Sequence, residues 1–448
     1  MRKKILVGIL IGCLLIGMLA VPIAGTQTSE IKKIMDYPLT EEQLEKIENY
    51  EIKVNYIKAT SDFEYGKKAG RMYAPIIKIL PSVAPMGLKM MDMPLPSPDH
   101  ASYLEDNYPE MLERLEGVQA STGVKPEQLV LLGMAFNAFL GKGGGGCTTS
   151  ASAPPATVGD EVFLTWNCDL SYKYKMFLPD LISDPEVDKP EVLGMPLFFV
   201  RDIEGHNKVF CLGIPGVLEM PLLNDKGLAF VGNAVAMKEE GPGLSDIEIL
   251  NKIMDDCSTV EEAKEIIEGS PRFTSGKMSL CNLNYLFGDA QGGIASIEAT
   301  HQHFAVKYGK ETGGVLAQAN HHQWLDYHET GAASSNRAPQ GYRSSWVRAT
   351  RMWELLMGNK GEIDLKKVMS FAADAANGPE PGKGGYDSIC RYGPRDATEL
   401  IPAAPASLQE DSTILSFVIQ PKEKVVWYCG AHPDEAPYIK IDVGRYFT

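Results

Sequence analysis

Four consecutive glycines, Gly143 to Gly146, run directly into Cys147-Thr148-Thr149, and this junction restricts the fold more than any other stretch of the chain. Glycine loses more backbone entropy on folding than any other residue, so such a run persists only where unusual φ/ψ values or a close backbone approach are needed. The two threonines are β-branched and favour an extended strand immediately after the cysteine. A cysteine heading a strand is a candidate nucleophile, because the thiolate is intrinsically the strongest nucleophile among the side chains. If the Gly146–Cys147 bond were cut, Cys147 would also carry an α-amine with an unperturbed pKa of about 7.7 to 8.0. Such an amine can serve as the thiol's own general base. Further on, Trp166-Asn167-Cys168-Asp169 places a carboxylate on the next predicted strand.

These residues resemble the N-terminal-nucleophile (Ntn) hydrolases, and within them the group typified by isopenicillin N acyltransferase. In that group the proenzyme cleaves itself before the cysteine of a Cys-Thr-Thr start, and an Asn-x-Asp motif follows on the second strand. The matching residues are Cys147-Thr148-Thr149 and Asn167-Cys168-Asp169, with Cys168 where the family usually has tryptophan. Asn224-Asp225-Lys226-Gly227-Leu228-Ala229, followed by Asn233, is similar to the family's Asn-x-x-Gly-Leu-Ala strand. Gly288 to Gly293 leading to Ile297-Glu298 is similar to its Asp-x-x-Gly turn and Glu strand. Ala319-Asn320-His321-His322 resembles its Thr-Asn-His segment, with Ala319 replacing threonine. Thr413 to Pro421 and Trp427 to Pro433 resemble its closing hairpin, whereas Ser388-Ile389-Cys390-Arg391 matches no recognised motif.

The resemblance implies an α+β fold, the Ntn-hydrolase four-layer αββα sandwich with a helical N-terminal prosegment. It divides the chain into a signal peptide or anchor over 1–25, a helical N-terminal chain over 26–146 and a catalytic chain over 147–448, with the processed chains staying associated. Gly146, Cys147 and Thr149 would carry self-processing: the Cys147 thiol attacks the Gly146 carbonyl, and water hydrolyses the thioester. Thereafter the α-amine takes the thiol proton and the thiolate attacks a linear amide, of an N-acyl compound or a peptide. Asp169 would orient the amine, as the third member of a triad does. Asn320 and Asn233 are the candidate oxyanion donors; losing one such donor typically costs about 2.7 to 4 kcal/mol of transition-state binding. Arg348 would lower the thiol pKa, with Arg351 and Arg343 as alternatives and a solvated helix face as the plain reading of all three. Neighbouring chemistries are those of Ntn dipeptidases and acid ceramidase-like amidases. A binding protein that retains the fold without turnover is the non-enzyme alternative.

The remaining residues narrow the choice. His301 and His303 alternate onto one face of a strand and, with His321, His322 and His328, raise the question of a metal. No HExxH or similar spacing accompanies them, so no metal and no cofactor is expected. A papain-like pairing of Cys147 with His321 or His322 would leave the glycine run unexplained. The net charge of −15, three units more negative without Arg2, Lys3 and Lys4, argues against nucleic acid as a partner. Those three basic residues precede an apolar run from Ile5 to Ala24, which reads as an export signal, with an uncleaved membrane anchor as the alternative. The expectation is a secreted or extracytoplasmic protein. Apart from Cys13 and Cys147 there are six cysteines, an even number, but their wide spacings suit buried thiols as well as disulfides.

Before Cys147 the pattern is helical. Helices are predicted after Thr40, over Tyr65–Leu80 with a kink at Pro75 and an end at Pro81, over Tyr103–Thr122 and over Lys125–Leu140. The Met/Pro stretch from Pro85 to Pro98 is read as irregular. After Cys147, strands are predicted at 162–166, 197–201, 209–214, 227–237, 280–287, 293–299, 313–318, 412–420 and 424–429. Helices are expected at 245–254, at 258–268 behind a Ser258-x-x-Glu261 capping box, at 345–357 and at 364–376.

Overall fold

The computed structural model describes residues 39–48, 50–90, 100–130, 146–171, 198–275, 282–330, 339–378, 384–392 and 411–448. Met1 to Ala24, Gly143 to Gly145, the region 131–140 of a predicted helix, the Met/Pro stretch from residue 91 and Cys281 lie outside them. Among the described residues no helix is long and apolar enough to cross a membrane.

The N-terminal segment supplies helices α1 (Glu41–Glu48), α2 (Asp62–Met90), α3 (His100–Asn107) and α4 (Pro109–Thr122). It also supplies a strand that its expected helical character did not include, β1 (Val54–Ala59), which pairs in parallel with β4 (Phe198–Ile203). Helix α2 runs on through Pro75, Pro81 and Pro85, where an end at Pro81 and an irregular stretch from Pro85 were expected. A proline ring crowds the backbone of the preceding turn, and the helix accommodates this by leaving helical geometry at Tyr73 (φ −113°, ψ 15°). The predicted helix 103–122 is two helices. Pro109 opens the second, and Gly123, at φ 79°, ends it in a left-handed cap.

The remaining chain builds two sheets. The first has eight strands in the order β1, β4, β5 (Val209–Ile214), β6 (Leu218–Asn224), β7 (Leu228–Ala234), β10 (Leu283–Asp289), β11 (Ile294–Ala299) and β12 (Phe304–Tyr308). The second has six, in the order β13 (Val315–Gln318), β2 (Gly146–Ser152), β3 (Phe163–Ser171), β14 (Asp411–Gln420), β15 (Val425–Cys429) and β16 (Ile439–Asp442). A two-residue ribbon, β8 (Glu240–Gly241) with β9 (Thr274–Ser275), stands apart. Strands β2 and β3 contact β7 across the gap between the sheets. Helices α5 (Asp246–Asp256) and α6 (Val260–Gly269) cover the first sheet, while α7 (Pro339–Gly358) and α8 (Leu365–Ala372) cover the second. The result is a four-layer αββα sandwich.

Strands β2, β4, β10 and β11 are buried along their whole length, as two-sided inner sheets require. Between the layers Phe198 stacks on Phe210 at 5.5 Å and meets Phe417 and Tyr428 edge-on. Truncating a ring so enclosed, as in Phe198→Ala, costs about 3 to 5 kcal/mol. The helix starts follow their caps. Ser245 and Glu248 form a reciprocal capping box, and at α6 the box is Thr259 with Glu262, one residue later than the Ser258 start expected.

Candidate active site

Strand β2 lies inside its sheet between β13 and β3: β3 pairs with it from Gly146 to Ser152 and β13 from Thr149 to Ser152, so the strand head is paired along its β3 edge. Cys147 is its second residue. The antiparallel register sets Gly146 opposite Asp169, Cys147 opposite Cys168 and Thr149 opposite Trp166. Directly opposed residues share a face. Cys147, Cys168 and Thr149 therefore look toward the other sheet, while Gly146, Thr148 and Asp169 look toward the helices that cover this one.

The backbone at Cys147 is held at both ends. Its N–H donates to Asn320 Oδ1 at 2.9 Å, and its carbonyl accepts from Arg348 Nη1 at 2.5 Å. Arg348, fully buried in α7, also donates to Thr148 Oγ1 at 2.7 Å and to Asn320 Oδ1 at 2.8 Å. The other two arginines considered stand elsewhere: Arg351 pairs with Asp374 at 2.7 Å, and the Arg343 side chain is 76% exposed. Burial and the nearby Arg391 pull the Arg348 pKa down to about 10, which still leaves it charged at neutral pH.

Asp169 is buried, with Oδ1 accepting from Thr413 Oγ1 at 2.7 Å. Its Oδ2 lies 3.9 Å from Arg348 Nη1 and 3.5 Å from Arg391 Nε. In the uncut chain the Cys147 N–H thus meets Asn320, and the bond expected of Asp169 is to the α-amine that cleavage would release. The two asparagines are engaged differently. The Asn320 amide is committed, accepting from Cys147 and Arg348 and donating to Ala234 O at 2.9 Å. Asn233, on β7, accepts from Thr149 Oγ1 at 2.6 Å, and its buried Nδ2 has no hydrogen-bond partner among the described residues. An unused amide donor on the thiol's side of the sheet is what an oxyanion site needs.

The Cys147 thiol is held below its ordinary pKa. A hydrogen bond from Cys168 is the main cause; burial opposes it, Trp166 and the Arg348 charge assist, and the Asp169 charge opposes. The two rival chemistries look different. Burial drives His321 down to about 3 and His322 to about 4, and their Nδ1 atoms engage Ser345 Oγ at 2.6 Å and Thr330 Oγ1 at 2.7 Å. Rings so weakly basic are poor acceptors for a thiol proton. His301 Nδ1 meets Arg272 O, and His303 meets Glu239.

Arg391 is the site residue that sequence reasoning missed. Its guanidinium fills the space beside Gly146: a Cβ there would come within 2.9 Å of Nη1. Close approach is therefore the reason for glycine at this position. The group lies 4.2 Å above the Tyr386 ring and donates to Ser344 Oγ at 3.0 Å. Its only sequence signal was an unassigned Ser-Ile-Cys-Arg run outside any periodic element.

The four-layer αββα sandwich, with Cys147 next to the start of an inner strand, has the layers that the resemblance to the Ntn hydrolases implied. Within it, residues 190–383 match the model of the family described as acyl-coenzyme A:6-aminopenicillanic acid acyl-transferase, a span that includes Asn233, Asn320 and Arg348 and begins after Cys147 and Asp169. Among solved structures, the chain is similar to a mutant conjugated bile acid hydrolase from Clostridium perfringens, with 14% identity over 67% of this chain and 94% of that one and a TM-score of 0.38. It is similar also to penicillin V acylase from Agrobacterium tumefaciens, with 15% identity over 67% of this chain and 78% of that one and a TM-score of 0.32. Comparison with curated proteins found no match.

Proposed function

We propose that the chain is a self-processing N-terminal-cysteine enzyme that hydrolyses or transfers the acyl group of a linear amide through a Cys147 thioester. The observation that carries this reading is the geometry of the Gly146–Cys147 junction. The cysteine's N–H and carbonyl are both gripped, by Asn320 and Arg348, while Gly146 has no side chain to obstruct rotation of its carbonyl toward the thiol. Attack of the thiolate on that carbonyl transfers the preceding chain from nitrogen to sulfur, the nitrogen gaining a proton. Water then releases the chain as a carboxylate and leaves Cys147 with an α-amine. That amine stays within reach of Asn320 Oδ1 and takes the thiol proton in each turnover. Developing negative charge on the substrate carbonyl oxygen is met by Asn233 Nδ2. The leaving amine takes the proton, and water, or a second amine in the transferase case, resolves the acyl-enzyme. The substrate class is an N-acyl amide or peptide, and Met1 to Ala24 directs the protein out of the cytoplasm, released or anchored.

Intact mass and N-terminal sequencing of the purified protein, beside Cys147→Ala, test the proposal. Two chains in the native sample, the second beginning Cys-Thr-Thr, with one uncut chain in the variant, are expected. A single chain in both would end the self-processing mechanism and leave a Cys–His enzyme or a binding protein, to be separated by thiol-reactivity assays.

A further inference from the structure

Cys168 forms no covalent bond in the chemistry above, yet it is the cross-strand partner of Cys147. Opposed residues of an antiparallel pair have Cα atoms about 4.5 to 5.5 Å apart and side chains on one face. A disulfide needs Cα atoms about 4.4 to 6.8 Å apart. As directly opposed residues their side chains stand side by side on one face, so rotation about the side-chain bonds is what brings the two sulfurs together. On its other edge Cys168 pairs with Leu415 of β14, and the Cys147 backbone is held by Asn320 and Arg348, so the pair is kept in place.

We propose that Cys168 is the resolving thiol of a reversible oxidative lock on Cys147. A peroxide oxidises the Cys147 thiolate to a sulfenic acid and is itself reduced, leaving hydroxide. The Cys168 sulfur then attacks the sulfenic sulfur, a Cys147–Cys168 disulfide forms, and the sulfenic oxygen departs as water with the Cys168 proton. A dithiol reductant reverses the lock by exchange, giving back both thiols and its own disulfide. While locked, the nucleophile cannot attack a carbonyl. The regulatory meaning of the lock rests on Cys147 being the nucleophile; the cross-link itself does not.

Selectivity follows from the surroundings of the other thiols. Cys257 and Cys429 are each pushed up to about 12 by burial, and Cys211 and Cys390 are raised further by the same cause. Oxidants react with thiolates, so Cys147 is attacked first. Without an adjacent thiol its sulfenic acid would pass on to the irreversible sulfinic acid.

The test treats the reduced full-length chain with hydrogen peroxide and maps its peptides by mass, beside Cys168→Ala and Cys168→Ser. The wild type is expected to yield a Cys147–Cys168 cross-linked peptide, lighter by two hydrogens, and to recover its full iodoacetamide reactivity at Cys147 after dithiothreitol. The variants are expected to accumulate sulfinic acid at Cys147 and to recover little. Wild-type protein that carries Cys147 sulfinic acid without the cross-link, or variants that recover as fully as wild type, would overturn the lock. The wild-type cross-link decides the matter even if neither variant folds. Because the readout is a mass, it is obtained whether or not the chain is cut before Cys147, so its failure is distinct from failure of self-processing.

Discussion

Two clusters of buried charge, one around Asp169 and one around Asp255, contain the same components and are finished differently. Asp255, on α5, has both oxygens engaged: Oδ1 accepts from Arg201, and Oδ2 accepts from Arg114 and from Tyr108, each at 2.6 Å. Around it Arg114 binds Asp62 at 2.6 Å, Arg201 binds Glu219, and Tyr65 donates to Glu219 at 2.6 Å. Burial alone would raise the Asp255 pKa, but the two guanidinium groups hold it well below the carboxylate range. Asp62, Tyr65, Tyr108 and Arg114 precede Cys147, and Arg201, Glu219 and Asp255 follow it. This cluster fastens the N-terminal segment to the sandwich. Asp169 also faces two arginines, but its Oδ2 makes no hydrogen bond among the described residues, and Asn233 across the gap has an unused donor. A closed cluster holds segments together, while an open one leaves capacity for groups that arrive later, such as a new α-amine or a substrate oxygen.

The largest expected effect comes from opening the closed cluster. Asp255→Asn removes the one carboxylate shared by Arg114 and Arg201 and leaves buried positive charge uncompensated. Such a loss typically destabilises by about 3 to 5 kcal/mol. Urea unfolding should report it as a lower midpoint, with processing at Cys147 intact in the protein that folds. An unchanged midpoint would mean that the cluster fastens nothing.

The converse variant is Asn233→Ala. If Nδ2 meets the oxyanion, kcat should fall about 100- to 1000-fold, corresponding to about 2.7 to 4 kcal/mol, once a substrate is in hand. Stability should fall by about 1 to 3 kcal/mol, for the buried Thr149 hydroxyl that loses its acceptor. A variant that keeps its rate and loses its fold would reduce Asn233 to a structural bridge between sheets and erase the contrast.

How far this contrast could be read from sequence depends on the range of the interactions. Cys147, Asp169, Asn320 and Arg348 come from four different elements, and local motifs marked each of them. The adjacency of β2 and β3 could be read because the connection between them is short. The Asp255 cluster could not, because Arg114 meets Asp255 and Tyr65 meets Glu219 across more than 140 residues, and isolated charges on helix faces carry no record of a distant partner. Arg391 was missed for the same reason. Besides the two-residue β8 and β9, the strands that escaped notice, β1, β6, β12 and β16, have mixed polarity or a proline: Val-Asn-Tyr-Ile-Lys-Ala in β1, half-buried Phe-Ala-Val-Lys-Tyr in β12 and Pro221 in β6. Edge strands face water on one side and lose the apolar run that identifies inner strands.

A subtler change tests the open cluster through its packing. Gly146→Ala would bring a Cβ within 2.9 Å of Arg391 Nη1, and the guanidinium must shift from Asp169 to admit it. Misplacement of about 1 Å near a reacting bond can cost about 100-fold in rate. Self-processing of the variant, followed by gel over time, should slow by up to that factor and still go to completion. A Gly146→Ala chain cut as fast as wild type would show that Arg391 tolerates displacement and that the glycine serves only backbone rotation.

The smallest effect probes the rim of the closed cluster by pH. His206 Nε2 lies 3.1 Å from Asp62 Oδ2, and Nδ1 lies 3.4 Å from Asp256 Oδ1. The nearby Asp256 carboxylate and the hydrogen bond to Asp62 raise the imidazole pKa to about 9, against partial burial, with the charges of Asp255 and Asp62 adding to the rise. The unfolded value is about 6.5, so the folded chain binds this proton more tightly. Its contribution is therefore complete below about pH 6.5 and is lost as pH rises through about 9. Because the pair is only partly shielded, the loss should amount to about 1 kcal/mol or less. Since Asp62 precedes Cys147 and His206 follows it, the loss should appear as weaker holding of the N-terminal segment by the sandwich. Urea midpoints measured from pH 6 to 9.5 should fall more steeply for wild type than for His206→Gln, and the gap between the two curves should close at the alkaline end. A constant gap across that range would remove His206 from the fastening and leave it to Arg114, Arg201 and Asp255.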